Sequence, residues 1–168
     1  EDARWSGDGR GVPVEIMVDL ANRLGAEPWF TLPHLASDDF IRSFATIVRD
    51  SLDPDLHAWI EYSNEVWNGI FAQAGYAREQ GLEAWLSTDE FQAQLYFYSR
   101  RTAGMFALWE EVFGGTDRLV RVMGSQAANS WVSEQVLGFE DAALSTDALA
   151  IAPYFGGYLG GTDEESRV

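Results

Sequence analysis

The residues most able to do chemistry lie in one short stretch, residues 59–68, which reads WIEYSNEVWN. Glu65 follows a compact apolar run, with a side-chain amide before it at Asn64 and an indole after it at Trp67. Retaining hydrolysis of a glycosidic bond needs one carboxyl that protonates the leaving oxygen and then activates water, and a second that attacks the anomeric carbon. Glu65 is therefore predicted to act as a catalytic acid/base.

The neighbours of Glu65 are given supporting roles. Asn64 is predicted to hydrogen-bond the sugar hydroxyl next to the anomeric carbon, and Trp67 is interpreted as a sugar platform, with plain packing as the alternative. Glu61 lies inside an apolar run, so it is predicted to be a buried, hydrogen-bonded group that supports the catalyst from behind. Glu65 is expected to lie beyond a strand, next to the Trp67 indole and facing a second carboxylate. Partial burial and a nearby negative charge both raise the pKa of a carboxyl group, so Glu65 could stay protonated near neutral pH.

Short strands alternate with longer amphipathic helices along the chain. Strands are predicted at residues 29–32, 58–62, 119–123 and 148–152, and helices at residues 13–24, 38–52, 70–80, 88–113 and 129–137. This alternation predicts an α/β fold built from βαβ units around a parallel sheet. A doubly wound sheet and a (β/α)8 TIM barrel both have this rhythm.

The ends of the predicted strands favour the barrel. Polar or aromatic side chains follow the strands at His34, Asn64, Glu65, Gln126 and Tyr154, and in TIM barrels this end of each strand forms the rim of the active site. No G-x-G-x-x-G sequence follows a strand, which disfavours a dinucleotide-binding sheet. Because four strands cannot close an eight-stranded barrel, the chain is predicted to hold about half of one.

Apolar spacing assigns core-facing sides to the longer helices. The assigned residues are Val12, Ile16, Met17, Leu20, Ala21 and Leu24 in the first helix, Phe40, Ile41, Phe44, Ile47, Val48 and Leu52 in the second, and Phe91, Leu95, Tyr98, Thr102, Met105, Phe106, Trp109 and Phe113 in the helix at 88–113.

Composition excludes several classes of partner. The 168 residues carry a formal charge of −16, which repels nucleic acid and anionic lipid. The chain has no cysteine and only two histidines, far apart in sequence, so neither a metal site nor a cofactor is predicted. No apolar run is long enough for a membrane helix. Aromatic residues make up 14% of an acidic chain, which suits a carbohydrate partner.

The N-terminal residues EDARWSGDGRG contain no initiator Met, basic head or apolar signal core. They are interpreted as the middle of a domain, so that residues 1–168 form a partial barrel domain truncated at both ends. A removed signal peptide or an artificial boundary gives the same appearance.

Over about residues 12–156, the chain resembles the clan A retaining glycoside hydrolases, matching strands three to six of their barrel. In that family the fourth strand ends in Asn-Glu, and many members have another Glu four residues earlier; Asn64, Glu65 and Glu61 match this pattern. The resemblance implies that Glu65 is the acid/base and that Asn64 contacts substrate. The stretches PWFTLPHLASDDFIRSFA, EYSNEVWN and IAPYFGG also look like those of large bacterial secreted proteins of this type.

The same resemblance implies two further site residues and shows two departures. His34 is similar to a His that lines the sugar pocket, and Tyr154 looks like the aromatic residue or His that orients the nucleophile. Val66 stands where members often have Pro. The family's nucleophilic Glu ends the seventh strand, beyond Val168, so the 168-residue chain alone is predicted to be inactive.

The resulting hypothesis is a secreted bacterial enzyme that hydrolyses β-glycosidic bonds in a polysaccharide or oligosaccharide with retention. Three alternatives remain: a carbohydrate-binding or adhesive protein without catalysis on a barrel scaffold, a structural module of a large surface protein, and, more distantly, a phosphate-binding α/β enzyme. The sequence predicts no oligomeric state, although unclosed strand edges favour association.

Overall fold

A computed structural model describes residues 11–153 and shows an α/β fold with one four-stranded, fully parallel sheet. The strands are β1 (Trp29–Leu32), β2 (Ala58–Tyr62), β3 (Leu119–Gly124) and β4 (Ala148–Ala150), and they lie side by side in chain order. The helices are α1 (Val14–Leu24), α2 (Asp38–Ser51), α3 (Ala72–Glu83), α4 (Glu90–Phe113) and α5 (Ser130–Gly138), and a 3₁₀ segment, Phe139–Ser145, leads into β4. The predicted α/β class, the parallel sheet and its four strands are confirmed.

Local sequence fixes where the main helices begin and end. The Ser37 hydroxyl accepts a hydrogen bond from the Phe40 backbone N–H at the start of α2, and the Asp89 carboxylate does the same for Gln92 at the start of α4. Gly114 ends α4 in the left-handed conformation, which costs a glycine little. These caps fix the start of α2 and both ends of α4, the two longest helices.

The two faces of the sheet differ in what covers them. In β1, Phe30 and Leu32 are buried against the helices, whereas Trp29 and Thr31 point to the other face and are exposed. The register pairs Thr31 with Glu61, and Glu61 with Val122, so these side chains share that second face. Strands added in one direction by right-handed crossovers place every helix on the same side. The second face is called the open face below.

The core lies between the sheet and the helix layer, and its centre is aromatic. Trp109 of α4 is fully buried and stacks on Phe30 at a centroid distance of 6.3 Å and on Phe113 at 5.6 Å. Phe44 of α2 packs against the same indole at 6.0 Å. Trp109 therefore joins two helices to the first strand.

The helix faces differ in part from the apolar spacing. In α4 the predicted core residues from Leu95 to Trp109 are buried, which confirms that face. In α1 the predicted Ala21 is buried, together with Val18, which was not predicted, whereas the predicted Leu20 and Leu24 are exposed. The reason is that α1 lies at the end of the helix layer and has α2 as its neighbour on one side, so only half of its broad apolar surface is covered.

Smaller differences concern helix ends and the last strand. Phe40 and Phe91, both placed in the core from their spacing, lie in the first turns of α2 and α4 and are exposed. Strand β4 ends at Ala150, two residues short of the predicted 148–152, and the 3₁₀ segment before it was not predicted.

None of the helices within residues 11–153 has the length and apolar character needed to cross a bilayer.

Replacement of the central indole tests this account of the core. Trp109→Ala is expected to lower the free energy of unfolding by about 3–5 kcal/mol, because it leaves a large cavity among Phe30, Phe44 and Phe113. Trp109→Phe should cost less, since the buried indole N–H has no hydrogen-bond partner in the structure. Urea titration measures both. The matched control is Trp85→Ala, at an indole that is 87% exposed, and it should change the value by about 0.5 kcal/mol or less.

Candidate functional site

A cavity of about 250 Å³ opens where the strands end, at the carboxyl edge of the sheet. Its lining comes from all four strands or the loops that follow β2, β3 and β4, and consists of Trp29, Glu61, Asn64, Glu65, Trp67, Gly124, Ser125, Ala150 and Ala152. Four residues of the predicted site, Asn64, Glu65, Trp67 and Glu61, are therefore brought together. The cavity holds two carboxyl groups and two indoles.

The loop that carries Glu65 leaves β2 through an unusual backbone path. Ser63 and Glu65 have φ angles of 61° and 45°, in the left-handed region that side chains other than glycine seldom adopt. Each such residue costs on the order of 1–3 kcal/mol, and such strain clusters at ligand sites. These two left-handed residues change the direction of the backbone after β2, and Asn64 and Glu65 both line the cavity.

Hydrogen bonds from neighbouring elements hold this loop in place. The Ser63 N–H donates to the Leu32 carbonyl over 2.7 Å, which continues the pairing of β1 and β2. Buried Gln94 of α4 donates its side-chain amide to the Val66 carbonyl over 2.7 Å, and Gln73 of α3 donates to the Asn64 carbonyl over 2.6 Å. Val66 is itself buried. The strained loop is therefore anchored to three separate elements.

The Glu65 side chain is half-buried and is oriented by its own loop. One carboxylate oxygen accepts a hydrogen bond from the side-chain amide of Asn68 over 3.0 Å, and the Asn68 backbone N–H donates to the Glu65 carbonyl over 2.8 Å. Helix α3 begins only at Ala72, so this carboxylate does not cap a helix. One face of the carboxyl group therefore stays available to the cavity.

Glu61 lies on the open face of β2 and reaches the same cavity. Its carboxylate accepts a hydrogen bond from the Trp29 indole N–H over 2.9 Å. Burial raises the pKa of Glu61 above its ordinary value, and the Trp29 bond opposes that rise. Glu61 was predicted as a buried, hydrogen-bonded group that supports Glu65; it is half-buried and hydrogen-bonded, and it also lines the cavity.

Gly124, the last residue of β3, leaves room for the groups around Glu61. A Cβ at this position would lie 2.8 Å from the Tyr98 hydroxyl oxygen and 3.1 Å from a carboxylate oxygen of Glu61. The Tyr98 hydroxyl accepts a hydrogen bond from the Gly124 N–H over 2.6 Å. Burial raises the pKa of this buried Tyr98, and the negative charge of Glu61 adds to the rise. A side chain at 124 would therefore displace the Tyr98 hydroxyl and the Glu61 carboxylate.

The remaining predicted site residues are placed differently. The His34 ring packs edge-on against Tyr76 of α3 at 5.4 Å, and its carbonyl accepts the Tyr62 hydroxyl over 2.7 Å. His34 is not part of the lining formed by the described residues, so this geometry gives it a packing role, and a sugar contact stays a prediction. Tyr154 lies outside the described residues. Gln126 accepts a hydrogen bond from the Asn129 side chain and does not reach the lining described here.

Several lining residues were not predicted from the sequence. Trp29 was assigned only to a strand, and Gly124 and Ser125 were given no role. Trp29 pairs with Trp59 in register, one layer below Glu61, and only the alignment of β1 with β2 reveals that its indole reaches that carboxylate. Strand alternation identifies the face of each residue, but it does not give the register between strands.

No group of three or more His, Asp or Glu side chains within residues 11–153 is arranged to hold a metal ion. His57, the other histidine, lies at the opposite end of β2 and its Nδ1 is 2.7 Å from a Glu27 carboxylate oxygen.

Comparisons of the chain with models of protein families, with curated proteins and with solved structures found no match.

The raised pKa of Glu61 predicts how stability depends on pH. A carboxyl whose pKa is raised by folding stabilises the fold below its ordinary value of 4.5, and that contribution is lost as the pH rises through the folded-state pKa. Glu61→Gln keeps an acceptor for Trp29 and removes the charge. The difference in unfolding free energy, variant minus wild type, should therefore increase between pH 4 and pH 7 in urea titrations. A difference that stays constant or falls over this range would contradict the assignment.

The close contacts at Gly124 predict an interaction between two substitutions. Gly124→Ala is expected to lower stability by about 1–3 kcal/mol, because the new methyl group collides with the Tyr98 hydroxyl and the Glu61 carboxylate. Tyr98→Phe removes the nearer of these two atoms. The double variant should therefore lose less stability than the sum of the two single variants, as measured in a double-mutant cycle. Strict additivity would show that the methyl group is accommodated in another way.

Proposed function

We propose that the chain is part of a retaining glycoside hydrolase that cleaves β-glycosidic bonds in a polysaccharide or oligosaccharide, with Glu65 as the acid/base. The observation that carries the proposal is the cavity at the carboxyl edge of the sheet, which is lined by Glu65 and Glu61 together with Trp29 and Trp67. Sugars present apolar C–H faces and polar hydroxyls, which indoles and carboxylates bind together. The resemblance to clan A supplies the same role for Glu65 independently of the cavity.

The residues that line the cavity have different proposed roles. Glu65, oriented by Asn68, protonates the glycosidic oxygen as the leaving sugar departs and later takes a proton from water. Asn64 binds the hydroxyl beside the anomeric carbon, and Trp67 forms one wall of the sugar site. The attacking carboxylate is supplied, by the family pattern, at the end of a strand beyond the four described here. Glu61 is held by Trp29 as a wall of the site.

The proposed scaffold is a (β/α)8 barrel, of which the sheet forms about half. Three features support it: the strands are all parallel, they lie in chain order, and most of the buried strand residues face one helix layer, Val122 on the other face being an exception. A doubly wound sheet reverses its strand order and carries helices on both faces. Secretion by a bacterium stays part of the proposal on the strength of the resemblance.

A carbohydrate-binding protein without turnover is the second candidate. The same Trp29 and Trp67 walls favour it, because sugar binding needs the platforms and hydrogen bonds but no attacking carboxylate. The two candidates agree on the ligand and differ on bond cleavage.

Sugar binding tests what the two candidates share. A panel of β-1,4- and β-1,3-linked glucan, xylan and mannan oligosaccharides is titrated into the chain, with tryptophan fluorescence as the measurement. At least one oligosaccharide should bind, and Trp67→Ala should weaken its binding about tenfold, the equivalent of about 1.4 kcal/mol. Trp85→Ala removes a distant, exposed indole and serves as the control. If no sugar in the panel binds, both candidates lose their support in favour of a purely structural module.

Chemical rescue then separates the enzyme from the binding protein. Formate at high concentration can attack the anomeric carbon in place of a missing carboxylate, and the aryl oxide leaves with a proton from Glu65. An aryl β-glycoside with a poor leaving group should therefore be cleaved slowly with formate, and Glu65→Gln should abolish that cleavage. A dinitrophenyl glycoside, whose leaving group needs no proton, should be cleaved equally by both proteins. Equal rates with the poor leaving group would remove Glu65 from the acid/base role.

A further inference from the structure

The loop between β2 and α3 contains the single Asn-Gly sequence of the chain, Asn68-Gly69. Asparagine is a thermolabile residue, because the backbone nitrogen of the next residue can attack its side-chain amide. Glycine in the next position favours this attack, since it places no side chain beside the attacking nitrogen. Asn68 is therefore the asparagine whose sequence context most favours the reaction.

The attacking group, the backbone nitrogen of Gly69, is accessible. Gly69 is exposed, and a Cβ at this position would have no heavy atom within 4 Å apart from its chain neighbours. Its N–H donates no hydrogen bond to any residue in the range 11–153. Among the described residues, attack by this nitrogen therefore breaks no hydrogen bond and meets no obstacle.

Hydrogen bonds hold both ends of the Asn68 side-chain amide. The Ile70 backbone N–H donates to Asn68 Oδ1 over 3.3 Å, and Asn68 Nδ2 donates to a Glu65 carboxylate oxygen over 3.0 Å. The bond from Ile70 stabilises the negative charge that develops on Oδ1 when the carbonyl carbon is attacked. The nitrogen that leaves in this reaction is the one that orients Glu65.

We infer that Asn68 is a site of spontaneous deamidation, and that its conversion places a second carboxylate against that of Glu65. The Gly69 nitrogen loses its proton to water and bonds to the side-chain carbonyl carbon of Asn68. The bond from this carbon to Nδ2 breaks, ammonia leaves with a proton taken from water, and a cyclic imide is formed. Water then opens the imide at either carbonyl, which leaves aspartate or isoaspartate at position 68. In sum, one water is consumed and one ammonia is released.

The conversion replaces an attraction at Glu65 by a repulsion. Nδ2 donates the bond to Glu65, whereas the ionised oxygen that replaces it can only accept. Two carboxylates at this separation repel each other, so Glu65 loses the contact that orients it. Isoaspartate also routes the main chain through the side-chain carbon, which breaks the turn closed by the Phe71 N–H and the Asn68 carbonyl over 3.1 Å. The inference treats Glu65 as a carboxylate and does not rest on the sugar chemistry.

Peptide mapping by mass spectrometry tests the site in the 168-residue chain, stored folded at mildly alkaline pH. Asn68 should convert at least about tenfold faster than the other asparagines of the same sample, because a modest difference in barrier height gives a large difference in rate. The comparison residues are Asn22, Asn64 and Asn129. Isoaspartate should be among the products, since the imide opens at both carbonyls. Conversion no faster than at the other three, or aspartate as the sole product, would overturn the inference.

A pair of glycine substitutions tests the role of the attacking nitrogen. Gly69→Ala adds a methyl group beside this nitrogen in open space, and it should slow conversion of Asn68 at least about tenfold. Gly75→Ala adds the same group in open space on α3 and is the matched control, which should leave the rate unchanged. Equal rates in the two variants would overturn the proposed attack.

A double-mutant cycle between positions 65 and 68 tests the effect on Glu65. Asn68→Asp makes the aspartate product directly, and at neutral pH it should raise the unfolding equilibrium constant at least about threefold. Asn68→Ala removes the hydrogen bond without adding charge and should raise it less. In a chain that carries Glu65→Gln, Asn68→Asp should have little effect, because the introduced amide can donate to the new carboxylate.

Urea titration measures all four proteins of the cycle. Additive effects would show that the new carboxylate does not act on Glu65 and would overturn this part of the inference. The result is independent of the proposed function, because failure of every sugar to bind would leave the deamidation rates and the cycle unchanged.

Discussion

Parallel pairing of the four strands in chain order is the constraint on which the candidate site depends. It brings the carboxyl ends of all strands to one edge and sets the strands side by side, so that residues as far apart in sequence as Trp29 and Ala152 line one cavity. It also sets Glu61 beside Thr31 and Val122 at one level, with its carboxylate within reach of the Trp29 indole. The chemistry of the site follows from this alignment, because no single segment contains enough of it.

The loop after β2 shows how local strain and distant support are combined. Ser63 and Glu65 are not glycines, so their left-handed backbone conformation is strained, and the hydrogen bonds between Glu65 and Asn68 are the support that the loop provides for itself. The free-energy cost of this strain is offset by the hydrogen bonds that the side-chain amides of Gln94 and Gln73 donate to the loop, and by the burial of the Val66 side chain. A helix more than 20 residues away in sequence therefore takes part in orienting the proposed acid/base.

Much of the fold follows from sequence periodicity, whereas the details of the site do not. The strand β1 at residues 29–32 and the strand β2 at 58–62 were predicted to the residue, because apolar runs between clear helix stops leave few alternatives. The outward side of α1 was assigned to the core because apolar spacing cannot tell which of two apolar sides has a neighbour. Glu65, Asn64 and Trp67 were predicted as site residues from one motif, whereas Trp29 and Gly124 depend on register and close approach, which a single sequence does not record.

The stacked indoles of Trp29 and Trp59 have an optical consequence. Their rings lie 22° from parallel, and each indole N–H is fixed by a carboxylate, from Glu61 and Glu27 respectively. Two chromophores held this close and this rigidly exchange excitation energy, and the resulting paired circular dichroism bands change sign across the absorption maximum. Since one ring is carried by β1 and the other by β2, the paired bands report directly on the joining of these two strands, from within the protein and without an added label.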